Sequence, residues 1–433
     1  MDVLIVGAGI GGLTLALELD DAGIPCRLVD AAPDISPVGA GINVLPHAAR
    51  ILSRLGLEER LTEVGVTTEE SVFFNRFGQL IYREPAGRFA GYDHPQLSLH
   101  RGDLQGVLLD AVRERLGANA VVMGRQAVSV HDDGGHDDGG HDDGGHDDGG
   151  HDDGRTVRLR TRDVVRGTAG PDETASVVVA CDGIHSAIRR QLHPDEGEPV
   201  YSGVNMWRGV AAWEPFLTGA SMVRVGWLAH GKMVIYPVRE QIDEEGRQLV
   251  NWVAELETPR RTRRDWTRHG SLVDFIEPFE DWRFDWLDVP ALIRGSDSVL
   301  EYPMVDQEPL SRWTFGRVTL LGDAAHPMVP RGSNGAGQAI LDARALRLAL
   351  ETYADPEQAL LAYEGERLPA TAEVVRTNRR QPPDAILREV YERTGDRPFA
   401  RIEDVISEEE MAAISESYRR VSGNTRERSR LLG

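Results

Sequence analysis

The first thirty residues hold a strand–glycine–helix–strand pattern that constrains the fold more than any other part of the chain. Residues 2–12 read Asp-Val-Leu-Ile-Val-Gly-Ala-Gly-Ile-Gly-Gly, so an apolar strand runs directly into Gly7-x-Gly9-x-x-Gly12. A leucine-rich helical stretch and a second apolar strand ending at Asp30 follow. In such a unit the three glycines allow a tight turn, close approach of a pyrophosphate, and close helix–strand packing. The pattern predicts a dinucleotide site, with Asp30 accepting hydrogen bonds from ribose hydroxyls.

Composition limits the class of protein. A chain of 433 residues has room for two domains or one large discontinuous domain, and its net charge of −22 argues against nucleic acid or an anionic membrane as partner. Cys26 and Cys181 cannot form a disulfide framework, which favours a reducing cytoplasm. No signal peptide or membrane-spanning segment is expected, because Met1-Asp2 is acidic and the apolar run after it is broken by glycines.

A polar repeat occupies residues 131–155, which read HDDGG four times and then HDDGR. The repeat has no apolar side chain to repay its ordering entropy, so we expect a disordered loop at the tip of a hairpin. Its histidines and aspartates offer metal ligands, but an expanded loop tip is the favoured interpretation and no metal site is predicted.

The remaining patterns divide the chain. Residues 201–300 alternate apolar and polar side chains and carry seven of the eight tryptophans, which predicts an antiparallel sheet forming a separate lobe. The predicted fold class is therefore α/β, a Rossmann-like nucleotide-binding domain with an inserted antiparallel β-sheet lobe and C-terminal helices. The expected divisions are residues 1–200 and 301–375 for the nucleotide-binding domain, 201–300 for the lobe, and 376–433 for the helical segment. Individual elements expected are helices over 101–116, 335–353, 356–380 and 397–420, and strands over 177–180 and 316–321.

Two further motifs accompany the amino-terminal one. Cys181-Asp182-Gly183 follows a short apolar strand, and Gly322-Asp323-Ala324-Ala325-His326-Pro327 leads through Pro330-Arg331-Gly332-Ser333-Asn334-Gly335 into a helix. With these three marks the chain resembles the group A flavoprotein monooxygenases of the para-hydroxybenzoate hydroxylase fold. The resemblance implies bound FAD, with NADH or NADPH as a transient reductant that has no domain of its own. It also implies O₂ as co-substrate and oxygen transfer from a flavin C4a-hydroperoxide to a small aromatic substrate.

The resemblance also assigns roles to cofactor-binding residues. Asp323 would bind the ribityl chain, Arg101 would contact the cofactor, and Asp182 would bridge the flavin and the reductant. The strand at Ala127 would pass beside the adenine, and the backbone from Gly332 to Gly335 would lie near the isoalloxazine, where the positive end of the following helix stabilises the reduced flavin. The complete predicted set is Gly7, Gly9, Gly11, Gly12, Asp30, Gly41, Arg101, Ala127, Asp182, Gly322, Asp323, Gly332, Ser333, Asn334 and Gly335.

Within the family, the segments Met206-Trp207-Arg208-Gly209 and Gly39-Ala40-Gly41-Ile42-Asn43 are similar to those of phenazine-tailoring enzymes. That similarity implies an aromatic carboxylate as substrate, with hydroxylation accompanied by loss of CO₂. Arg208 would pair with the carboxylate. Tyr236 and Tyr302, together with Trp207, are the candidate aromatic walls of a dry pocket.

Two alternatives stay open on sequence grounds. The first is a monooxygenase that modifies a polyketide or antibiotic without decarboxylation, which product mass would distinguish. The second is a non-catalytic flavin redox sensor, which would release no hydroxylated product. The oligomeric state expected is a monomer or a homodimer.

Overall fold

The computed structural model describes residues 1–34, 40–132, 155–259, 269–380 and 382–426. Its strands are β1 (Val3–Val6), β2 (Cys26–Val29), β3 (Gly41–Val44), β4 (Val66–Thr67), β5 (Glu70–Phe74), β6 (Leu80–Pro85), β7 (Leu97–His100), β8 (Val121–Val122), β9 (Arg125–Asp132), β10 (Val157–Asp163), β11 (Thr168–Ala169), β12 (Glu173–Ala175), β13 (Val177–Ala180), β14 (Val200–Trp213), β15 (Ser221–Gly226), β16 (Lys232–Arg239), β17 (Gln248–Glu257), β18 (Arg283–Phe284), β19 (Leu287–Asp288), β20 (Leu300–Asp306) and β21 (Val318–Leu320). Its helices are α1 (Ile10–Asp21), α2 (Pro46–Arg54), α3 (Glu58–Val64), α4 (Arg101–Leu116), α5 (Ala187–Leu192), α6 (Val289–Arg294), α7 (Asn334–Thr352), α8 (Pro356–Arg380), α9 (Ala385–Thr394) and α10 (Glu408–Ser422).

A five-stranded parallel sheet in the order β21-β13-β1-β2-β8 forms the nucleotide-binding layer. Strands β1 and β13 are buried along their whole length, as expected for parallel strands covered on both faces. Helix α1 contacts both α4 and α7. The carboxyl ends of β1, β13 and β21 therefore meet at one edge, where the three sequence motifs begin.

The second layer is a seven-stranded sheet in the order β20-β14-β17-β16-β15-β5-β6. Neighbouring strands are antiparallel except for the parallel pair β15 and β5. One face packs on an aromatic core that includes Trp207, Trp252 and Phe275. The α/β class with an inserted sheet lobe and C-terminal helices is confirmed.

The expected domain limits stay a prediction, and the topology supports one change to them. Strands β5 and β6 come from residues 70–85, yet they extend the sheet built by residues 200–306. We propose that residues 70–85 belong with the substrate lobe rather than with the nucleotide-binding domain.

The C-terminal segment differs in part from the expected helices. The helix expected over 356–380 is confirmed, but α9 was not predicted, and the helix expected from residue 397 begins only at Glu408. Ser407 sets that start, because its side chain accepts a hydrogen bond from the backbone amide of Glu410 at 3.2 Å. None of the helices in the described ranges is long and apolar enough to cross a membrane.

The polar repeat arises from a β-hairpin. Strands β9 and β10 pair antiparallel, with Asp132 opposite Val157, while residues 133–154 lie outside the described ranges. Asp132 belongs to the hairpin itself, since it accepts a hydrogen bond from the backbone amide of Arg317 at 3.1 Å.

We expect that the repeat can be removed without cost to the folded protein. Replacing residues 133–154 with Asn-Gly leaves a four-residue connection between Asp132 and Val157, since residues 155 and 156 remain. It should leave flavin content unchanged and the free energy of unfolding within about 0.5 kcal/mol. Cofactor absorbance and a urea titration measure both quantities. A matched deletion that also takes Asp132 should be less stable, because it removes the contact with Arg317. Loss of flavin from the shorter deletion would contradict the expectation.

Candidate active site

The glycine turn between β1 and α1 requires glycine at two positions and leaves a third open to a ligand. Gly7 has φ +110°, and a Cβ there would lie 2.3 Å from the carbonyl oxygen of Cys181. A Cβ on Gly12 would lie 2.0 Å from the carbonyl oxygen of Gly7. A Cβ on Gly9 would meet no atom within 4 Å in the part of the chain that the structure describes. Gly9 is also the N-cap of α1 and provides no side-chain cap, so the first-turn amides are available to an anion.

Asp30 stands at the end of β2 beside this turn. Its Oδ2 accepts a hydrogen bond from the amide of Ala8 at 2.6 Å, and its Oδ1 accepts one from Ala32 at 2.7 Å. Each carboxylate oxygen retains a further lone pair. Asp30 is thus fixed against the glycine turn and keeps free acceptor capacity, and its role as acceptor of a ribose hydroxyl stays a prediction.

A cavity of about 300 Å³ opens between the glycine turn, the loop that precedes α7, and one face of the seven-stranded sheet. Predicted residues that line it are Gly9, Gly11, Gly41, Arg101, Arg208, Tyr236, Gly322, Asp323, Gly332, Ser333, Asn334 and Gly335. Predicted residues that do not line it are Gly7, Gly12, Asp30, Ala127, Asp182 and Tyr302. The three motifs and the lobe therefore meet at one cavity.

Two of the outlying residues have clear positions. Ala127 lies in β9, is buried, and belongs to the main hydrophobic core. Tyr302 lies in β20 opposite Met206 and packs in a small apolar cluster with it. The roles assigned to Ala127 and Tyr302 stay predictions.

Asp182 follows β13 and lies between Cys181 and Gly183, which both line the cavity. Its Oδ2 accepts a hydrogen bond from the amide of Ala187 at 2.9 Å, whereas its Oδ1 is buried and has no hydrogen-bond partner in the described part of the chain. Burial raises the pKa of Asp182, against the lowering effect of its hydrogen bonds. A buried oxygen without a partner is a suitable acceptor for a cofactor hydroxyl.

The loop before α7 adopts unusual backbone conformations that the C-terminal segment holds in place. Gly332 has φ +68° and Ser333 has φ +57°, a left-handed conformation that non-glycine residues rarely adopt. The hydroxyl of Tyr418, in α10, accepts a hydrogen bond from Asn334 Nδ2 at 2.5 Å and donates one to Asn378 Oδ1 at 2.6 Å. A Cβ on Gly332 would lie 2.1 Å from that hydroxyl. The sequence motifs located this loop but gave no sign that α10 supports it.

Alternate residues of four neighbouring strands form the floor of the cavity. They are Met206 and Arg208 on β14, Val253 and Glu255 on β17, Lys232, Val234 and Tyr236 on β16, and Met222 and Arg224 on β15. Successive side chains of a strand point to opposite faces, so Trp207 packs on the far side, with its ring stacked on Phe275 at 5.0 Å between centroids. The expectation that Trp207 forms a wall of the pocket is wrong for this reason.

Arg208 is a half-buried cation at this floor. One of its terminal nitrogens donates a hydrogen bond to the carbonyl oxygen of Gly41 at 2.6 Å, and its Nε has no hydrogen-bond partner among the described residues. Burial lowers the pKa of Arg208, and nearby Arg101 adds to that effect while Tyr236 and Tyr302 oppose it. Burial also raises the pKa of Tyr236 to about 12, so its hydroxyl stays protonated.

Sequence reasoning missed several charged residues of the cavity: Arg224, Lys232, Glu255, Arg331 and Asp384. For Lys232 the sequence held an indication, since it lies four residues before Tyr236 on the same strand and therefore shares its face. Arg224 and Glu255 share that face only through the pairing of neighbouring strands. Arg331 lies inside the motif that precedes α7, but the resemblance to the family assigns no function to its side chain. Asp384 comes from the C-terminal segment, which local patterns do not connect with the sheet.

The site as a whole fits FAD. Glycines at the turn leave room for a pyrophosphate, Asp30 and the unpartnered Oδ1 of Asp182 are acceptors for hydroxyl groups, and Asp323 is exposed on the cavity wall. Fold and site together define a flavin-dependent class of enzyme.

Comparison with known proteins identifies the family. Residues 1–378 match the model of a family described as FAD binding domain, and the chain belongs to that family. It is 39% identical to a phenazine 1,6-dicarboxylic acid hydroxylase of Lysobacter antibioticus, over 97% of each chain. It is 32% identical to the 3-amino-4-hydroxybenzoate 2-monooxygenase of Streptomyces cremeus, over 87% of this chain and 86% of the relative.

The fold has solved counterparts. The complex of Klebsiella pneumoniae HpxO with FAD and uric acid superposes with a TM-score of 0.69 at 21% identity, covering 100% of this chain and 95% of that one. The protein is an FAD-dependent monooxygenase, and a small aromatic molecule is its substrate. The predictions of the family, of the enzyme class and of FAD as cofactor are thereby confirmed.

Proposed function

We propose that this enzyme hydroxylates a planar, fused-ring aromatic carboxylate of the phenazine type, and that Arg208 binds the carboxylate. The observation that carries the proposal is the state of Arg208, a half-buried guanidinium whose Nε is buried and has no partner in the described part of the chain. An unpaired buried cation is costly, and a carboxylate is the ligand that matches the guanidinium geometry. The relative from Lysobacter antibioticus, named for a phenazine dicarboxylic acid, supports the ring system.

The floor beside Arg208 suits a flat apolar ring. Arg208 lies opposite Val253 in the register of β14 and β17, and Val253 lies opposite Val234 in that of β17 and β16. The two valines therefore form an apolar surface across which a ring can lie while its carboxylate reaches Arg208. Met206, two residues before Arg208 on the same face, extends that surface and excludes water.

When bound, FAD takes electrons from a reduced nicotinamide and activates O₂ for transfer of one oxygen atom to the substrate. The residues of this chain decide which ring carbon is presented. If Arg208 holds the carboxylate beside the reacting position, the oxygen atom is transferred to the ring carbon that bears the carboxylate. CO₂ then leaves without its bonding electron pair, and that pair restores the aromatic ring. NADH or NADPH as reductant, O₂ as co-substrate, a cytoplasmic setting and a monomer or homodimer remain parts of the proposal.

Substrate screening with product mass tests the proposal. Phenazine carboxylates, hydroxybenzoates and other aromatic acids are added to the yellow holoenzyme, and the rate of flavin reduction by NADH and by NADPH is recorded. We expect a phenazine carboxylate to accelerate reduction. Exchange of CO₂H for OH lowers the product mass by that of CO, whereas simple insertion raises it by one oxygen atom. If no aromatic acid accelerates reduction, the proposal fails.

Hydroxylation without decarboxylation is the second candidate. The relative from Streptomyces cremeus, named as an aminohydroxybenzoate 2-monooxygenase, supports it. The same mass measurement decides between the two outcomes.

Removing the charge of Arg208 should weaken binding of the carboxylate selectively. Charge-assisted hydrogen bonds contribute about 1.5–3 kcal/mol, so Arg208→Gln should raise the KM of the acid by about 10- to 100-fold. Unsubstituted phenazine, which has no carboxylate, should bind the variant as it binds the wild type. Arg312→Gln, which removes an arginine outside the cavity, is the matched control. Equal weakening of phenazine and of its carboxylate would show a structural role instead.

A further inference from the structure

A second group of charged side chains lines the cavity beyond Arg208. Glu255 lies opposite Met206 in the register of β14 and β17, and it also lies opposite Lys232 in that of β17 and β16. These positions are two residues along the strands from the Arg208 row, a step of about 6.7 Å. We name Lys232, Glu255 and their charged neighbours the distal cluster. Its other members are Arg224, which stands at the far end of the Arg208 row opposite Val234, and Arg331 and Asp384.

Most of the charges in the distal cluster are matched in pairs. Lys232 Nζ lies 2.8 Å from Glu255 Oε1 and is also ion-paired with Asp384 Oδ2. Arg224 Nε lies 3.0 Å from Asp384 Oδ1. Burial would raise the pKa of Asp384, but the charges of Lys232 and Arg224, with a smaller contribution from Arg331, outweigh burial and lower it, so the carboxylate is ionised. The two carboxylates are thus balanced by Lys232 and Arg224.

Arg331 is the cation that these pairs leave over. The residue is 9% exposed, and the one hydrogen bond of its guanidinium among the described residues goes from a terminal nitrogen to Met304 Sδ at 3.9 Å. Its Nε has no partner there. The backbone is held by a hydrogen bond from the Arg331 amide to the carbonyl of Val329 at 2.7 Å. The distal cluster therefore has three cations and two carboxylates, with the unmatched charge on a fixed loop.

We propose that Arg331 binds a second carboxylate of the substrate, so that the cavity selects an aromatic dicarboxylate over a monocarboxylate. This inference rests on the proposed function and adds a specificity-determining residue to it. Arg208 and Arg331 share one feature that the other described cations lining the cavity lack, a buried Nε without a partner. A dianion with one carboxylate at each arginine neutralises both.

A hydrogen-bond donor on the substrate competes with a carboxylate for this end of the cavity. Glu255 Oε2 is buried and has no hydrogen-bond partner among the described residues. A substrate with a hydroxyl or N–H group at this end would donate to Glu255 instead of presenting a carboxylate to Arg331. The first possibility requires a carboxylate on the substrate and is tested by substituting Arg331. The second requires a hydroxyl or N–H group and is tested by substituting Glu255.

Ligand titration of the holoenzyme tests the inference. Phenazine-1,6-dicarboxylate, phenazine-1-carboxylate and a hydroxylated phenazine-1-carboxylate are titrated, and the change in the flavin absorbance spectrum gives each Kd. We expect the wild type to bind the dicarboxylate tightest. Arg331→Gln should raise the Kd of the dicarboxylate about tenfold or more, the effect of losing one charge-assisted hydrogen bond. The Kd of the monocarboxylate should stay within about twofold of the wild-type value. Arg331→Lys should recover part of the loss, and Arg312→Gln should change neither Kd.

Several results would overturn the inference. One is that Arg331→Gln raises the Kd of the dicarboxylate and of the monocarboxylate equally, and another is that it changes neither Kd. A third is that it weakens FAD binding, measured by flavin fluorescence, while the preference for the dicarboxylate stays intact. A preference for the hydroxylated acid that Glu255→Gln abolishes would assign the distal cluster to a donor group instead. If the wild type binds none of the three acids, the proposed function itself fails, which separates the two failures.

Discussion

The variant Gly9→Ala should fold as well as the wild type and yet be largely colourless after purification. Gly9 has φ −75° and ψ −178°, which any residue adopts, and a Cβ there would meet no atom of the described residues within 4 Å. The added methyl group instead occupies the space in front of α1, where a pyrophosphate must approach the backbone. Loss of one or two charge-assisted hydrogen bonds should lower the affinity for FAD by about 10- to 100-fold. Flavin fluorescence titration measures the affinity, and circular dichroism melting of the apoprotein measures the stability.

Two other glycine substitutions separate cofactor binding from folding. Gly106→Ala, inside α4 and with no neighbour within 4 Å of its Cβ, should change neither property for the worse. Gly12→Ala should reduce both, because its Cβ would lie 2.0 Å from the carbonyl oxygen of Gly7. If Gly9→Ala retained the FAD affinity of the wild type, the pyrophosphate would not lie at this turn.

The nucleotide-binding elements could be predicted from the sequence because their constraints are local. A strand, a turn that tolerates only glycine at Gly7 and Gly12, and a helix follow one another within twenty residues. The helix expected over 101–116 and the strand expected over 177–180 have those bounds in the structure. The motif at Gly322 is equally local, and it located the loop before α7 correctly.

The substrate lobe was predictable as a sheet but not in its pairing. Alternation along β14 shows that Trp207 and Arg208 face opposite sides, yet it does not tell which side is the cavity. The parallel pairing of β5 with β15 joins residues that are about 150 positions apart, which no local pattern encodes. Asp384 and Tyr418 reach the site from the C-terminal segment in the same non-local way. Substrate specificity is consequently the part of the function that required the structure.

Among the variants proposed for this protein, substitution of Asp342 should cause the largest decrease in the free energy of unfolding. This buried carboxylate in α7 accepts hydrogen bonds through Oδ1 from Arg367 Nε at 2.7 Å, and through Oδ2 from the amide of Gly322 at 3.2 Å. His326 Nε2 lies 2.5 Å from the same Oδ2. Asp342→Asn removes the charge that Arg367 requires, and breaking a buried pair in this way costs about 3–5 kcal/mol. Urea denaturation of the apoprotein measures the change.

The matched control is Asp404→Asn, which breaks an exposed pair with Arg401 and should cost less than about 1 kcal/mol. Because Gly322 directly precedes Asp323, Asp342→Asn should also weaken FAD binding, which the control should not. A loss of stability no greater than that of the control would show that the pair with Arg367 contributes nothing net to folding.

The acid dependence of unfolding gives a further signature of Asp342. Burial alone would raise its pKa, but the charges of His326 and Arg367 and their hydrogen bonds outweigh burial and lower it below 3.8. A carboxyl group whose pKa is lower in the folded state stabilises the protein above its unfolded pKa, and that contribution disappears as the pH falls through the folded pKa. Stability of the wild type should therefore decrease steeply as the pH falls below about 3.8, and Asp342→Asn should show a shallower decrease. If the stability of the two proteins decreased with falling pH at the same rate, other carboxylates, and not Asp342, would govern unfolding in acid.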